Sequence, residues 1–395
     1  MALTNTPLSY GTVARTLHWL MALMILTAIP LGLVANALPH DTAEALARKV
    51  QVFSLHKTLG VAILTLALLR ILWTLSQPRP APVHPERRLE TAAASLVHAA
   101  LYLALVIVPV AGWVEHAAVE GFAPILWPFG QSLPFVPKSE TLAAIAATLH
   151  RSFAWIMAGA IVLHVAGALK HALIDRDAVL GRMTRGTPAG KPQSSRHTAP
   201  ALAAVALYAF AAGGAIALMP PAAPQPAREA LAPVASDWRV EDGTLGLTIR
   251  QMGRAVEGRF ADWTAAIRFD ATPVEGVNGE VTVTIATDSL SLGSVTDQAR
   301  SAEFLDTRTH PTAVFKAVIR PDAEGFVAQG TLALHGAEVP VSLPFRLTLD
   351  GDTARMEGRT RLDRRDFAVG TAYPDEASIG FGVEVGVTLT ARRAR

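Results

Sequence analysis

A chain of 395 residues is longer than one ordinary small domain, and 51% hydrophobic with only 17% charged residues is unusual for a soluble protein. The formal net charge of +2 singles out no class of partner, and no nucleic-acid partner is expected. Cysteine is absent, which excludes disulfides, thiolate metal sites and covalent C-x-x-C-H haem attachment.

Five apolar segments follow one another, at 16–38, 53–75, 94–115, 146–172 and 199–219. Each reaches the ~20 residues needed to cross a hydrocarbon core. The first is long, contains His18 and is followed by no small-x-small site, so it is not read as a cleaved signal peptide. The loop 76–93 carries Arg79, Arg87 and Arg88, and the loop 173–198 carries Arg176, Arg182, Arg185, Lys191 and Arg196. In the loop 39–52, Arg48 and Lys49 are balanced by Asp41 and Glu44, while 116–145 sets Lys138 against Glu120 and Glu140. Basic loops stay in the cytoplasm, which predicts an inside N-terminus and a C-terminal half outside the membrane.

Four histidines sit inside or at the ends of these spans: His18, His56, His150 and His164. His150 and His164 are fourteen residues apart in LHRSFAWIMAGAIVLHVAGALKHAL. Fourteen residues of α-helix turn about 1400°, close to four full turns, and rise about 21 Å. Both imidazoles therefore face one way, near opposite sides of a core about 30 Å thick. His18 lies at the inner depth of His164, and His56 at the outer depth of His150. Ionisable residues inside a bilayer are functional candidates by default, and facing helices of a bundle commonly hold a cofactor between them. Two histidines per iron fill both axial positions, which favours electron transfer over oxygen activation. Without cysteine, such a haem is held non-covalently.

Several neighbours leave alternatives open. His171 follows His164 by seven residues on nearly the same face, about 10 Å deeper, and competes with it as the partner of His18. Arg70, fourteen residues after His56, faces the inner level, where it either binds a haem propionate or snorkels to the surface. Arg15 and Lys57 carry the same two readings. His98 is interfacial or serves a quinone or propionate, while His40, His84, His116 and His197 need no special role. His310 and His335 show no metal-ligand spacing.

After the fifth span, the Pro/Ala-rich stretch 220–235 reads as a semi-rigid tether. From Ser236 the apolar period becomes two, as in half-buried strands. The runs are Leu245–Leu247–Ile249, Val281–Val283–Ile285, Phe315–Ala317–Ile319, Val339 through Leu349, and Ile379 through Leu389. Antiparallel strands over 236–395 predict a sandwich or a closed barrel, and about eight strands can enclose one elongated ligand. Phe260, Trp263, Phe304, Phe315 and Phe345 are the candidate ligand contacts, against the alternative that they only fill core. Arg364, Arg365 and Asp366 form either a binding cluster or a turn. Nothing resembles a nucleophile, a paired-carboxylate site or a phosphate loop, so no catalytic residue is assigned.

The segments RTLHWLMALMILTAIPLGL, SLHKTLGVAILTLALLRILW, HAALYLALVIVPVAGWV and LHRSFAWIMAGAIVLHVAGALKHAL together resemble the bacterial cytochrome b561 family over residues 8–185. The resemblance implies four helices holding two haems b through His18, His56, His150 and His164, with electron exchange between quinone and a redox partner. Some members look able to oxidise superoxide. Residues 236–395 resemble the YceI family of periplasmic lipocalin-like proteins, through DWRVEDGTLGLTIRQMG, VEGRFADWTAAIRFD, TDSLSLG, SAEFLDTRTHPTAVFKA, GTLALHGAEVPVSLPF and RLDRRDFAVG. That resemblance implies a barrel enclosing a polyisoprenoid such as a ubiquinone tail. The family usually has a histidine in the early strand, where this chain reads GTLGLTIRQMG, so no role is carried over from that position.

The expected molecule is an α + β multidomain protein. It comprises a four-helix dihaem bundle (8–185), a fifth anchoring helix (199–219), the linker (220–235) and a lipocalin-like antiparallel barrel (236–395). The first functional reading is quinone-linked electron transfer with an isoprenoid or quinone-like lipid in the barrel. The others are a superoxide oxidase feeding ubiquinone and a non-redox, membrane-anchored lipid-binding module.

Overall fold

The computed structural model describes residues 2–119, 123–126, 130–190, 198–219, 231–232 and 234–394. Most of the expected linker, together with Glu120, Lys191, Arg196 and His197, lies outside the described residues. The chain divides into two compact units, one holding the long helices and one the sheet.

Helices α1 (Thr12–Ala37), α2 (Ala43–Leu75), α3 (Arg88–Ala118) and α4 (Glu140–Lys170) form the first unit, with the short α5 (Val179–Thr184) and with α6 (Thr198–Ala217). Among the described residues, five helices are long and apolar enough to cross a membrane, the fourth running on to Asp175. The first four outrun the apolar segments read from sequence, whereas α6 coincides with its segment to within two residues. A helix of 31 residues such as α3 is about 46 Å long, so its ends project beyond the hydrocarbon and carry polar residues. Ser139 caps α4, its hydroxyl accepting from the Leu142 N–H at 3.2 Å, which satisfies one of the free donors of a helix start.

The bundle core is built from Met21, Ile25 and Ala28 of α1, Ala67 of α2, Ala100, Ala104 and Val108 of α3, and Phe153 and Met157 of α4. Alanine at these contacts lets the helix backbones approach closely, as packing within lipid requires. Leu23, Leu26, Leu72, Val162 and Leu163 remain exposed, as a lipid-facing surface demands. Helix α6 does more than return the chain across the membrane. Its Tyr208 is buried in the same core, with its ring 5.3 Å from that of Phe153 and its hydroxyl donating to the Ala100 carbonyl at 3.3 Å.

Two snorkelling readings fail. Arg15 is buried and donates to the Thr184 carbonyl and to Thr12 Oγ1. Lys57 is also buried and donates to the Ala123 carbonyl at 2.8 Å. The α5 segment is likewise no free loop, since Arg182 donates to the Ala81 carbonyl at 2.8 Å and Trp19 Nε1–H to that of Met183 at 3.0 Å.

In the second unit, ten described strands form one antiparallel sheet. They are β1 (Trp238–Gln251), β2 (Arg254–Phe260), β3 (Trp263–Val274), β4 (Val277–Ala286), β5 (Leu290–Ser291), β6 (Thr312–Asp322), β7 (Gly325–Leu334), β8 (Ala337–Asp350), β9 (Thr353–Asp363) and β10 (Gly382–Arg393). Their order is β3-β4-β6-β7-β8-β9-β10-β1-β2-β5. The sheet is mostly a meander whose first strand pairs with its last, Leu245 opposite Val387. It curls until β3 meets the start of β1, where the Asp237 N–H donates to the Ile267 carbonyl and Trp238 Nε1–H to that of Phe269. The inward face carries Phe315, Ile319, Leu332, Leu343 and Phe345, which follows from the period-two pattern.

The Arg364–Arg365–Asp366 cluster is a short 3-10 turn, Arg364–Phe367. Arg365 grips Asp363 at 2.6 Å and holds its carboxyl below the usual carboxylate range. Arg364 is buried and donates to the carbonyls of Val369, Gly370, Ile379 and Gly380, and to that of Tyr373. Arg364→Met leaves these acceptors without a donor. It is expected to cost roughly 2–4 kcal/mol, read as an earlier thermal unfolding of the β domain, and Arg364→Lys is expected to recover little of it because a single ammonium cannot span the fork.

Candidate functional site

The bundle brings the four span histidines together as two pairs. The His18 and His164 ring centroids are 6.0 Å apart, and those of His56 and His150 are 6.2 Å apart. Two imidazoles on opposite sides of one metal ion, each with a bond of about 2 Å, leave their centroids roughly 6 Å apart. Both pairs therefore have the separation that a shared axial metal requires.

The outer pair is also chemically prepared. His56 Nδ1 lies 2.9 Å from the Ala28 carbonyl, and His150 Nδ1 lies 2.9 Å from the Val108 carbonyl. A carbonyl only accepts, so Nδ1 carries the proton and Nε2 keeps the lone pair that a metal needs. Such outer hydrogen bonds orient ligating histidines and raise their basicity. The arrangement repeats between helices. Ala28 lies four residues before Gly32 in α1, and Val108 four before Gly112 in α3. A Cβ at Gly32 would lie 2.8 Å from His56 Cε1, and one at Gly112 would lie 2.8 Å from His150 Nδ1. Each glycine leaves the space its imidazole occupies. Sequence reasoning passed over all four residues. The available signal was a Pro–Gly pair inside an apolar helix, Pro30 with Gly32 and Pro109 with Gly112, in segments where both residue types need a reason to be present.

Gly112→Leu is expected to displace the His150 ring and lower occupancy of the outer site, and Gly112→Ala to shift it less. The check is the amplitude of the corresponding component in a redox difference spectrum, with the inner component as internal reference.

The inner pair is held differently. Arg70 Nη2 lies 3.3 Å from His18 Nδ1, and the guanidinium stands over Tyr102 at 5.3 Å. Arg70 thus reaches the ring level rather than the membrane surface. The His98 ring is 5.0 Å from that of His164, so His98 belongs to the same inner cluster. His171 does not join His18. Its Nε2 faces Glu90 at 3.0 Å, and its Nδ1 faces Asp175 and Asp177 at 3.2 and 2.6 Å. Nitrogen donors, carbonyl acceptors and space cleared by glycine make the His56–His150 set fit a non-covalent haem.

The β unit encloses a cavity of about 310 Å³. All five aromatic candidates, Phe260, Trp263, Phe304, Phe315 and Phe345, line it. Gln251 lines it too; it is only 4% exposed, and its Oε1 has no hydrogen-bond partner. An unpaired buried acceptor is costly, and Gln251 belongs to a lining that is mostly apolar. The rings of His310 and His335 stand 5.3 Å apart, a proximity that their sequence spacing did not reveal.

Known proteins match both halves. Residues 9–186 match the family described as prokaryotic cytochrome b561, and residues 238–391 match the YceI-like domain. Cytochrome b561 homolog 2 of Escherichia coli K12 is 30% identical over 189 residues, covering 46% of this chain and 95% of that protein. Protein YceI of an E. coli O17 strain is 27% identical over 152 residues, covering 35% of this chain and 78% of the relative. Among solved structures, Burkholderia cenocepacia BcnA is 26% identical, with 38% of this chain and 95% of that one covered and a TM-score of 0.35.

Proposed function

The chain belongs to the prokaryotic cytochrome b561 family, and from that premise we propose that it is a dihaem electron-transfer protein exchanging electrons with quinone, joined to a barrel that binds an isoprenoid or quinone-like lipid. Membership in that family brings b-type haem and a membrane location, and the YceI-like domain brings lipid binding. The reading divides the chain at the boundaries expected from sequence, with a bundle over 8–185, a helix over 199–219, a linker over 220–235 and a barrel over 236–395.

The observation that carries it is the pair of matched ring separations, 6.0 and 6.2 Å, in one four-helix bundle. His18 and His164 would hold the inner haem b, and His56 and His150 the outer one. A haem b held there would supply one-electron chemistry. The carbonyls of Ala28 and Val108 fix the tautomer of the outer ligands, and Gly32 and Gly112 leave room for their rings. Arg70 would supply a guanidinium for a propionate of the inner haem. Loop charge supports a cytoplasmic N-terminus and a periplasmic barrel. In the barrel, Phe260, Trp263, Phe304, Phe315 and Phe345 contact the lipid.

Haem quantification with a dithionite-reduced difference spectrum tests this reading. Two haems b per chain are expected. One haem or none overturns it.

A further inference from the structure

We propose that His84, His171 and Asp177 bind a divalent transition-metal ion of the Zn²⁺ class, at a site separate from the four span histidines. It is assembled where α4 stops being an α-helix. Residues His171–Asp175 form a π-helical turn, and Arg176 takes the left-handed conformation at φ 51°. Single π turns inside helices are rare and are frequent at functional sites. Here the turn carries Asp177 back beside His171, while the segment before α3 supplies His84.

The donor atoms converge. His171 Nδ1 lies 2.6 Å and His84 Nε2 2.9 Å from the same oxygen, Asp177 Oδ2. The two rings stack with centroids 6.1 Å apart and planes 5° from parallel. Asp177 is held by its other oxygen, which accepts from the Val179 N–H at 2.9 Å. The three side chains are 27, 15 and 12% exposed for His84, His171 and Asp177, so the site is shielded and still reachable.

The surrounding groups match those of a metal centre. The nitrogen of each ring away from Asp177 faces another carboxylate, His171 Nε2 with Glu90 at 3.0 Å and His84 Nδ1 with Glu86 at 3.2 Å. A carboxylate behind each ligating imidazole is the usual outer support of a metal-bound histidine. The charges agree as well. Lys170 and Arg87 are engaged by Glu90 and Asp175. They supply two positive charges against the four carboxylates Glu86, Glu90, Asp175 and Asp177. Carboxylates only accept hydrogen bonds, so Glu86 and Glu90 suit ring N–H groups on the outer side of His84 and His171. A divalent ion between the two rings and Asp177 would add positive charge to this acidic cluster and leave those outer contacts in place.

Two imidazoles and one carboxylate, with a fourth position for water or Asp175, suit Zn²⁺ and its neighbours rather than Mg²⁺ or Ca²⁺. Metal–ligand bonds of about 2.0–2.2 Å require the Asp177 oxygen to withdraw from the two nitrogens by about half an ångström, within reach of a side-chain rotation.

The test uses the full-length, haem-loaded chain in detergent, stripped with chelator and titrated with Zn²⁺ in equilibrium dialysis. One tightly held Zn²⁺ per chain is expected. His84→Ala and Asp177→Ala are each expected to weaken it at least 100-fold, and Glu86→Gln 10–100-fold, with the reduced haem spectrum unchanged as evidence of folding. X-ray absorption at the zinc edge should show two imidazoles in the first shell. Failure of the wild-type chain to retain Zn²⁺, or equal retention by wild type and the folded His84→Ala and Asp177→Ala variants, overturns the proposal.

Discussion

Replacing His56 or His150 with alanine is expected to reduce the haem content from two per chain to one and to remove a single b-type component from the redox difference spectrum. The two positions should give the same residual spectrum, because the pair shares one site with its rings 6.2 Å apart. Alanine at His18 or His164 should leave the complementary component. At the His56–His150 site, Ala28 and Val108 offer only carbonyls already facing the imidazoles, and the further imidazole in the vicinity is that of His116. At the inner site His98 stands 5.0 Å from His164, so His164→Ala is the variant most open to partial rescue by a neighbouring imidazole. Unchanged spectra in the His56 and His150 variants would remove the basis of the assignment.

The second large effect is expected in the β domain. Purified full-length protein should carry an isoprenoid-type lipid that organic solvent extracts and mass spectrometry identifies. Ala328 is buried and lines the cavity, and Ala328→Trp puts an indole into that space. Bound lipid should fall at least tenfold while haem content stays the same, so loss of lipid is separable from loss of the bundle. Gln251→Leu separates head from tail. It removes the one described buried acceptor in the cavity wall that lacks a partner, which should stabilise the empty domain by about 1 kcal/mol. It should also weaken a ligand with a hydroxyl head by about tenfold, the equivalent of ~1.4 kcal/mol. Equal lipid content in wild type and Ala328→Trp would refute the cavity as the binding site.

Much of this was readable from sequence because helix geometry is rigid. Fourteen residues bring His150 and His164 to one face wherever the α-helix continues. His171 is still reached by regular helix through Lys170, about 10 Å further along, and what separates it from His18 is local: Glu90, Asp175 and Asp177 take its ring nitrogens, none of which the helical spacing could foretell. The clamps on His56 and His150 were invisible for another reason. Their acceptors are backbone carbonyls, which every residue has, and only the clearance at Gly32 and Gly112 leaves a trace in the letters.

In the β half, alternation found β1, β4, β6, β8 and β10. It missed β2, β3, β5, β7 and β9; in β9, Arg355, Glu357, Arg359 and Arg361 are exposed, and Gly358 and Thr360 interrupt the apolar letters of the other face, Ala354, Met356 and Leu362. It also started the last strand too early. Ile379 makes one isolated bridge with Gln251, and β10 begins at Gly382. Neither partner of that bridge could be inferred from spacing, because the contact joins the two ends of the domain.

The pairing of β1 with β10 also sets an order of events for biogenesis. Each hairpin from β6 to β10 can form as soon as its own residues are available, whereas β1 must wait for a strand at the other end of the domain. Closing so long a loop is slow, so the final ladder, Trp238 with Arg393 through Thr248 with Glu384, is the natural last step of folding. Until it forms, the apolar wall lies open along one seam. A long lipid can be laid in sideways during that interval, with no need to be threaded through a finished mouth. Loading would then be an event of assembly, and the rate at which β10 arrives would decide which proteins are filled.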